Sequence, residues 1–496
     1  MELPKTGSIV IIDDKINEAL PLINTLSAEG VSICYFDGKR ENYPQKPLDN
    51  IRMIFLDMHL DEVASASSVP KNIISTLMTG LNKVVSPESG PYAILVWSKH
   101  DSQHIQDFID SIMGENGLQN KPISVLNMEK SECFERSYYD NENEVAATSE
   151  TGYVNWKLKE NGLNIIKSKM QEQLKLVDAF EVFYNWENGI RESAKETIQS
   201  INLLFENNSE EWNKNIKFYF IKLAKAYAGK TLGDTSNDIL RNVYYTLNDI
   251  ASDRNCVVLE KKVKEVGNIE INESISTIKG RVEICKNHNG KMYYLTTDNN
   301  KWYLYEEQRE ICSNKKLDKI FEYKNGSVDC VVSNIAEIYW RNIAKLNSLL
   351  LMRSYVLSDY RPGNVYISSE NTKNELSNEL KFTITQRVNS FGIELEMSPL
   401  CDYSQKKRRR VRVLPGLLVP YEYKIDDKPK YLYVSPPVWI DNEIRKMVFD
   451  FRYYTSEKTE YLKNKDVKYA ISDLLLQVIK EEFSSHGTRS GVVYME

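Results

Sequence analysis

The chain has 496 residues, 42% hydrophobic and 27% charged, which is the balance of globular domains with real cores and excludes a disordered chain. That length favours three or four domains over one. With 64 basic and 70 acidic residues the net charge is −6, which excludes a protein covered by nucleic acid over its whole surface and leaves any such contact local.

The N-terminal stretch MELPKTGSIVIIDD lacks the basic start, long apolar run and small-residue cleavage site of a signal peptide. No run approaches the ~20 apolar residues that cross a bilayer. The seven cysteines are scattered without a C-x-x-C pair, as reduced thiols are. The expectation is a cytoplasmic protein with no membrane partner.

From residue 1 to about 135, the short apolar runs SIVIID, VSICYF, IRMIFLD, YAILVWS and PISVLN alternate with helical or loop stretches. Five near-continuous apolar strands spaced in this way predict a parallel sheet covered by helices on both faces. The polar stretch 137–152 reads as a loop or linker. Within the following block, NGIRESAKETIQSINLLF places Ile190, Ala194, Ile198, Ile201 and Leu204 on one helical stripe. Residues 153–268 are therefore expected to be helical.

Residues 269–380 read as a mixed α/β region, with strands at GRVEIC, KMYYLTT and KWYLYEE and a helix over 333–352. Residues 381–496 read as a β-rich module, because KFTITQRV, GIELEMS, VRVLPGLLVP and KYLYVS are rich in β-branched and aromatic residues. A helix over 467–484 closes the chain.

The candidate chemistry gathers at the strand ends of the first domain. Asp13 and Asp14 follow the first strand, Asp57 ends the third, Ser98 ends the fourth and Lys130 follows the fifth. Adjacent buried acids are costly unless something positive meets them. In an open α/β sheet the carboxyl ends of the strands form the ligand crevice, so these residues are expected to converge. Three carboxylates suit Mg²⁺, which takes oxygen ligands and keeps waters that a phosphate can replace. Asp57, beside the ion and a lysine, is then a plausible phosphoryl acceptor.

This constellation resembles the receiver domain of two-component response regulators over roughly residues 5–135. The resemblance implies a flavodoxin-like, doubly wound sheet. It also implies Asp14 as a direct Mg²⁺ ligand, Asp13 as its neighbour, His59 as a backbone-carbonyl ligand, Asp57 as phosphoacceptor, Ser98 as switch hydroxyl and Lys130 as phosphate-pairing lysine. The partner would be a histidine-kinase-like or other ATPase phosphodonor. The Asp57-to-Ser98 and Ser98-to-Lys130 separations are longer than usual in that family, and Lys130 precedes Ser131 where a proline is common. The whole chain also faintly resembles large receiver-bearing proteins of bacterial anti-phage systems, through the segments CDYSQKK and VLPGLLVP.

Elsewhere the motifs are weaker. Lys406, Lys407, Arg408, Arg409, Arg410 and Arg412 can bind phosphates of nucleic acid or a nucleotide, or serve as a solvated hairpin turn, which is the favoured reading. Glu394 and Glu396 share one strand face, which leaves open an effector enzyme working through residues 394–412 with the receiver as its switch. Cys401 beside Asp402 reads as a small core cysteine rather than a nucleophile. The pairs His100 with His104 and Cys285 with His288 lack the second pair that a zinc site needs. AKAYAGKT ends like a P-loop but has Ala224 where the first glycine belongs and follows a helical pattern.

Overall fold

The computed structural model describes residues 9–58, 60, 70–98, 105–114, 116–139, 153–174, 178–203, 209–265, 291, 293–298, 301–324, 328–354, 361–404, 410–425, 429–463 and 465–487. Two compact units result, Met1–Leu204 with Leu247–Gly267, and Phe205–Thr246 with Asn268–Glu496.

The first unit is built on a parallel five-stranded sheet of β1 (Ile9–Ile12), β2 (Ile33–Phe36), β3 (Met53–Leu56), β4 (Ala93–Ser98) and β5 (Ser124–Glu129), in the order β2-β1-β3-β4-β5. Side chains alternate across a strand, and both faces of this sheet are covered. Val10, Ile12, Ile54, Leu56, Ile94 and Val96 form one core with α2 (Pro70–Val84) and α3 (Ile105–Met113), through Leu77, Leu81, Phe108 and Ile112. Ile9, Ile11, Met53, Phe55, Leu95 and Trp97 form the other with α1 (Ile16–Ala28), through Ala19, Leu22 and Leu26. Two apolar faces explain why the strands read as unbroken apolar runs. The order reverses on the two sides of β1, the position at which open α/β sheets open a crevice.

After β5 the chain makes a single turn, α4 (Lys130–Cys133), with a reciprocal capping box between Glu129 and Glu132. Strand β6 (Phe134–Tyr139) then pairs antiparallel with β7 (Tyr153–Leu158), and α5 (Gly162–Leu174) returns to the sheet, where Ile166 joins the core of α1 and Trp97. A Cβ at Gly162 would stand 2.4 Å from the Cys133 carbonyl oxygen, so only glycine lets α5 start against α4. Residues 153–174 thus share the core of the parallel sheet.

Helix α6 (Asp178–Asn202) packs against the second half of α8 (Ser236–Glu265) at Gly189, whose Cβ would meet Asn255 Oδ1 at 2.5 Å. The stripe that the sequence places on α6 is largely exposed, Ile190 at 39% and Ile198 at 66%. The helix instead buries Tyr184, Ser193 and Thr197. The two hydroxyls donate to carbonyls one turn back, Gly189 O at 2.8 Å and Ser193 O at 2.7 Å, which makes a polar face fit for burial.

In the second unit, α7 (Ser209–Ala228) runs into a 3₁₀ turn at Gly229–Thr231, so Lys230 and Thr231 follow a helix rather than a strand. The strands β8 (Tyr293–Asp298), β9 (Lys301–Glu306) and β10 (Arg309–Asn314) form an antiparallel sheet in the order β10-β9-β8. Leu295 and Leu304 of that sheet pack on Ile320 of α9 (Leu317–Phe321) and on Val331, Val332 and Ile335 of α10 (Asp329–Leu351). The GRVEIC segment lies outside the described residues.

The C-terminal eight-stranded sheet contains β11 (Asn364–Ile367), β12 (Phe391–Glu396), β13 (Arg410–Pro420), β14 (Leu432–Val434), β15 (Val438–Ile440), β16 (Glu443–Asp450), β17 (Thr455–Lys458) and β18 (Val467–Ala470). Its central path is β14-β16-β13-β12-β11-β18, with β15 on β16 and β17 on β13. Helices α11 (Glu370–Glu379), α12 (Ile384–Val388), α13 (Leu400–Ser404), α14 (Glu460–Lys463) and α15 (Asp473–Gly487) connect or cover it. Leu475, Leu476 and Ile479 of α15 close over Leu395, Leu414 and Phe449.

Three expected elements differ. Residues 153–158, expected to be helical, form strand β7, paired along its whole length with β6. KFTITQRV is not a strand: Thr383 and Gln386 form a capping box that starts α12, and satisfying two backbone donors reciprocally outweighs β propensity in so short a segment. The closing helix does not begin at 467. Val467–Ala470 pairs with β11 as β18, and the Ser472 hydroxyl accepts the Leu475 N–H at 3.2 Å, which sets the helix start at Asp473. Among the described residues, no helix is long and apolar enough to cross a membrane.

Candidate functional site

The carboxyl rim of the parallel sheet collects the acids. The Asp13 N–H donates to Phe36 O at 3.1 Å and the Asp57 N–H to Ile12 O at 2.9 Å, so the ladder continues one residue past β1 and β3 and sets the two aspartates on neighbouring strands. Asp13 Oδ1 accepts the Lys15 N–H at 2.9 Å, a turn that Asp favours, and α1 begins at once. Asp13 and Asp57 are buried and Asp14 is half-buried at the mouth. One carboxylate oxygen from each of Asp13, Asp14 and Asp57 lies within 4.8 Å of the others.

Lys130 enters from the first position of α4 and is 1% exposed. Its Nζ donates to Asp57 Oδ2 at 2.6 Å, Asp13 Oδ2 at 2.7 Å and Glu18 Oε2 at 3.1 Å. The Trp97 ring lies beneath it, its centroid 4.8 Å from the ammonium. Trp97 is itself wedged edge-on between Phe55 and Phe134, at 6.2 and 5.7 Å between centroids. A buried ammonium loses hydration worth several kcal/mol. Three charge-assisted hydrogen bonds, each contributing about 1.5–3 kcal/mol, and the ring's negative face offset it.

Four carboxylates therefore surround one ammonium, and the titration behaviour follows. Burial pushes the Asp13 carboxyl up to about 7, with Asp57 adding to the rise and Lys130 and the Lys15 N–H opposing it. Asp14 is raised as well, first by burial and then by Asp57. For Lys130, burial by itself favours the neutral amine, but Asp57 and Asp13 outweigh it and hold the ammonium more firmly charged than an ordinary lysine. Lys130 gains from Asp57 and Asp13 together, whereas for Asp13 and Asp14 burial outweighs the nearby positive charge. The pocket retains an excess of negative charge.

That excess suits a divalent cation. Mg²⁺ takes oxygen ligands of this kind, and one oxygen from each of the three acids is close enough to the others to share one ion. Asp13, Asp14 and Asp57 would hold it, and waters would complete the shell toward the mouth.

The structure thus brings together Asp13, Asp14, Asp57 and Lys130. Ser98 closes β4, paired in register with Glu129 immediately before Lys130, which places it on the same rim. His59 lies outside the described residues. Glu18, 8% exposed on the first turn of α1, escaped the sequence reading. The available signal was its position four residues after Asp14, one helical turn along.

The other candidates are dispersed. Lys406, Lys407, Arg408 and Arg409 lie outside the described residues, as do His100, His104, Cys285 and His288. Arg410 bonds across to β17, with its Nε donating to Ser456 Oγ at 3.0 Å, and Arg412 is exposed two residues on. Cys401 is exposed rather than in the core, its Sγ 3.7 Å from Asp402 Oδ1. A helix of one turn leaves that side of α13 open to water.

Glu394 and Glu396 are buried on one face of β12. In register Glu394 faces Tyr366 of β11. Glu394 accepts the Tyr461 hydroxyl at 2.9 Å and is paired with Lys465.

No family model matches the chain, and no curated protein matches it.

Proposed function

We propose that the first unit is a receiver-like signalling module that accepts a phosphoryl group on Asp57 and so controls an effector or interaction region formed by the rest of the chain. One observation carries this: Asp13, Asp14, Asp57 and Lys130, distant in sequence, meet at the carboxyl rim of a parallel sheet of order β2-β1-β3-β4-β5. The flavodoxin-like order and the placing of Ser98 on the same rim support the finer, receiver-like reading.

In this scheme an Asp57 carboxylate oxygen attacks the phosphorus of the donor. The bond from phosphorus to the donor's leaving atom breaks, and that atom departs with the electron pair and takes a proton from solvent. Mg²⁺, when bound, neutralises charge on the phosphoryl oxygens. Asp13 and Asp14 hold it, and the Lys130 ammonium pairs with a phosphoryl oxygen. The donor class that the receiver-like arrangement implies is a histidine-kinase-like or other ATPase phosphodonor protein. A charge change of this size can bias a two-state element and be read elsewhere.

The test is incubation of the full chain with a small phosphodonor and Mg²⁺. We expect intact-mass analysis to show one added phosphoryl group that hydroxylamine removes, and its loss in Asp57→Asn. An unlabelled wild-type chain, under conditions that label an active receiver, would overturn the assignment.

A further inference from the structure

We infer that Glu18 is a positioning residue: the carboxylate that takes up the Lys130 ammonium when Asp13 and Asp57 turn to a divalent cation. This rests on the phosphoacceptor reading of the site. A lysine ammonium has three N–H donors, and in this pocket they go to Asp57, Asp13 and Glu18. Asp13 and Asp57 also belong, with Asp14, to the group of oxygens that can hold one ion. Glu18 does not belong to that group. The ammonium and the cation therefore compete for two carboxylates, and like charges this close repel strongly where water is excluded.

Lys130 cannot retreat to solvent. It is 1% exposed, starts a capped turn and rests on the Trp97 ring, which is held by Phe55 and Phe134. Glu18 gives it another place to go. Its carboxylate is fixed by the same face of α1 that buries Ala19, Leu22 and Leu26, and at 3.1 Å it is the longest of the three contacts. A shift of the ammonium toward Glu18 shortens that bond and frees Asp13 Oδ2 and Asp57 Oδ2. The lysine stays charged, buried and within reach of a group on Asp57.

The measurement is Mg²⁺ affinity of the full chain by titration calorimetry, with Glu18→Gln made in the wild-type background and in Lys130→Met. Lys130→Gln serves as a second background should Lys130→Met fail to fold. With Lys130 present, Glu18→Gln should weaken Mg²⁺ binding about tenfold, the scale of one charge-assisted hydrogen bond. Without Lys130, the same change should cost less than about twofold, because the partner whose coupling is being measured is gone. Equal weakening in both backgrounds would mean that Glu18 acts on the ion through its charge alone and would overturn the inference, as would no weakening in either; Asp57 labelling would then still stand. A wild-type chain that takes neither Mg²⁺ nor a phosphoryl group overturns both readings together.

Discussion

The energetic centre of the first unit is one side chain. Lys130 donates to three acids at once, so its removal takes a buried ion-pair partner from each of Asp13, Asp57 and Glu18. Breaking a buried ion cluster by deleting one partner costs about 3–5 kcal/mol. Lys130→Met should therefore lower the unfolding free energy of the first unit by that amount, read as a lower urea midpoint at unchanged slope. Added Mg²⁺ should recover more stability in the variant than in the wild type, since the ion then supplies the missing positive charge. An unchanged midpoint would show that the acids are already protonated or solvated. At this scale most of the pocket was readable beforehand. Asp13, Asp14, Asp57 and Lys130 each stand at the end of an apolar run, and strand ends in a parallel sheet share a rim. Glu18 was not readable, because an acid in the first turn of a helix is ordinarily a solvated partner of the helix dipole. Only the inward turn of α1 makes it a ligand for Lys130.

Elements in this chain are decided by caps and close approaches as much as by propensity. The T-x-x-Q box at Thr383 converts a β-favouring stretch into α12, and Thr383→Ala should cost about 1 kcal/mol, measurable by denaturant unfolding; an effect below about 0.3 kcal/mol would assign the helix to packing instead. Gly416 sits in the middle of β13, where a Cβ would stand 2.5 Å from Val448 O and 2.6 Å from Phe449 Cδ1. The first contact is backbone in a paired strand and cannot give way cheaply. Gly416→Ala should destabilise the C-terminal sheet by about 1–3 kcal/mol, the range of overpacked cores. Hydrogen exchange at β13 and β16 would register it as faster opening, and unchanged protection there would contradict the tight approach.

For the whole molecule, each unit carries its own apolar core, and the acid pocket belongs to the first. Mg²⁺ at a hundred times its dissociation constant stabilises the state that binds it by about 2.7 kcal/mol. Hydrogen exchange should therefore slow in peptides that cover β1, β3 and α4, and chelation should reverse the change. Protection of Lys130-bearing peptides that does not respond to Mg²⁺ would argue against an ion at Asp13, Asp14 and Asp57.

What the order of residues determined by itself was the local character of the segments: apolar runs long enough for strands, acids and a lysine at their ends, and glycine, proline and polar punctuation between them. Those properties follow from short-range sterics and from the cost of burying charge, which any stretch of chain carries with it. Only the tertiary structure decided that Ile198 faces out while Ser193 and Thr197 face in, that residues 153–174 return to the first sheet, and that Glu18 completes the shell of Lys130. Each of those outcomes depends on which distant surface an element meets, and the free energy of burial is set by that surface rather than by the element's own residues.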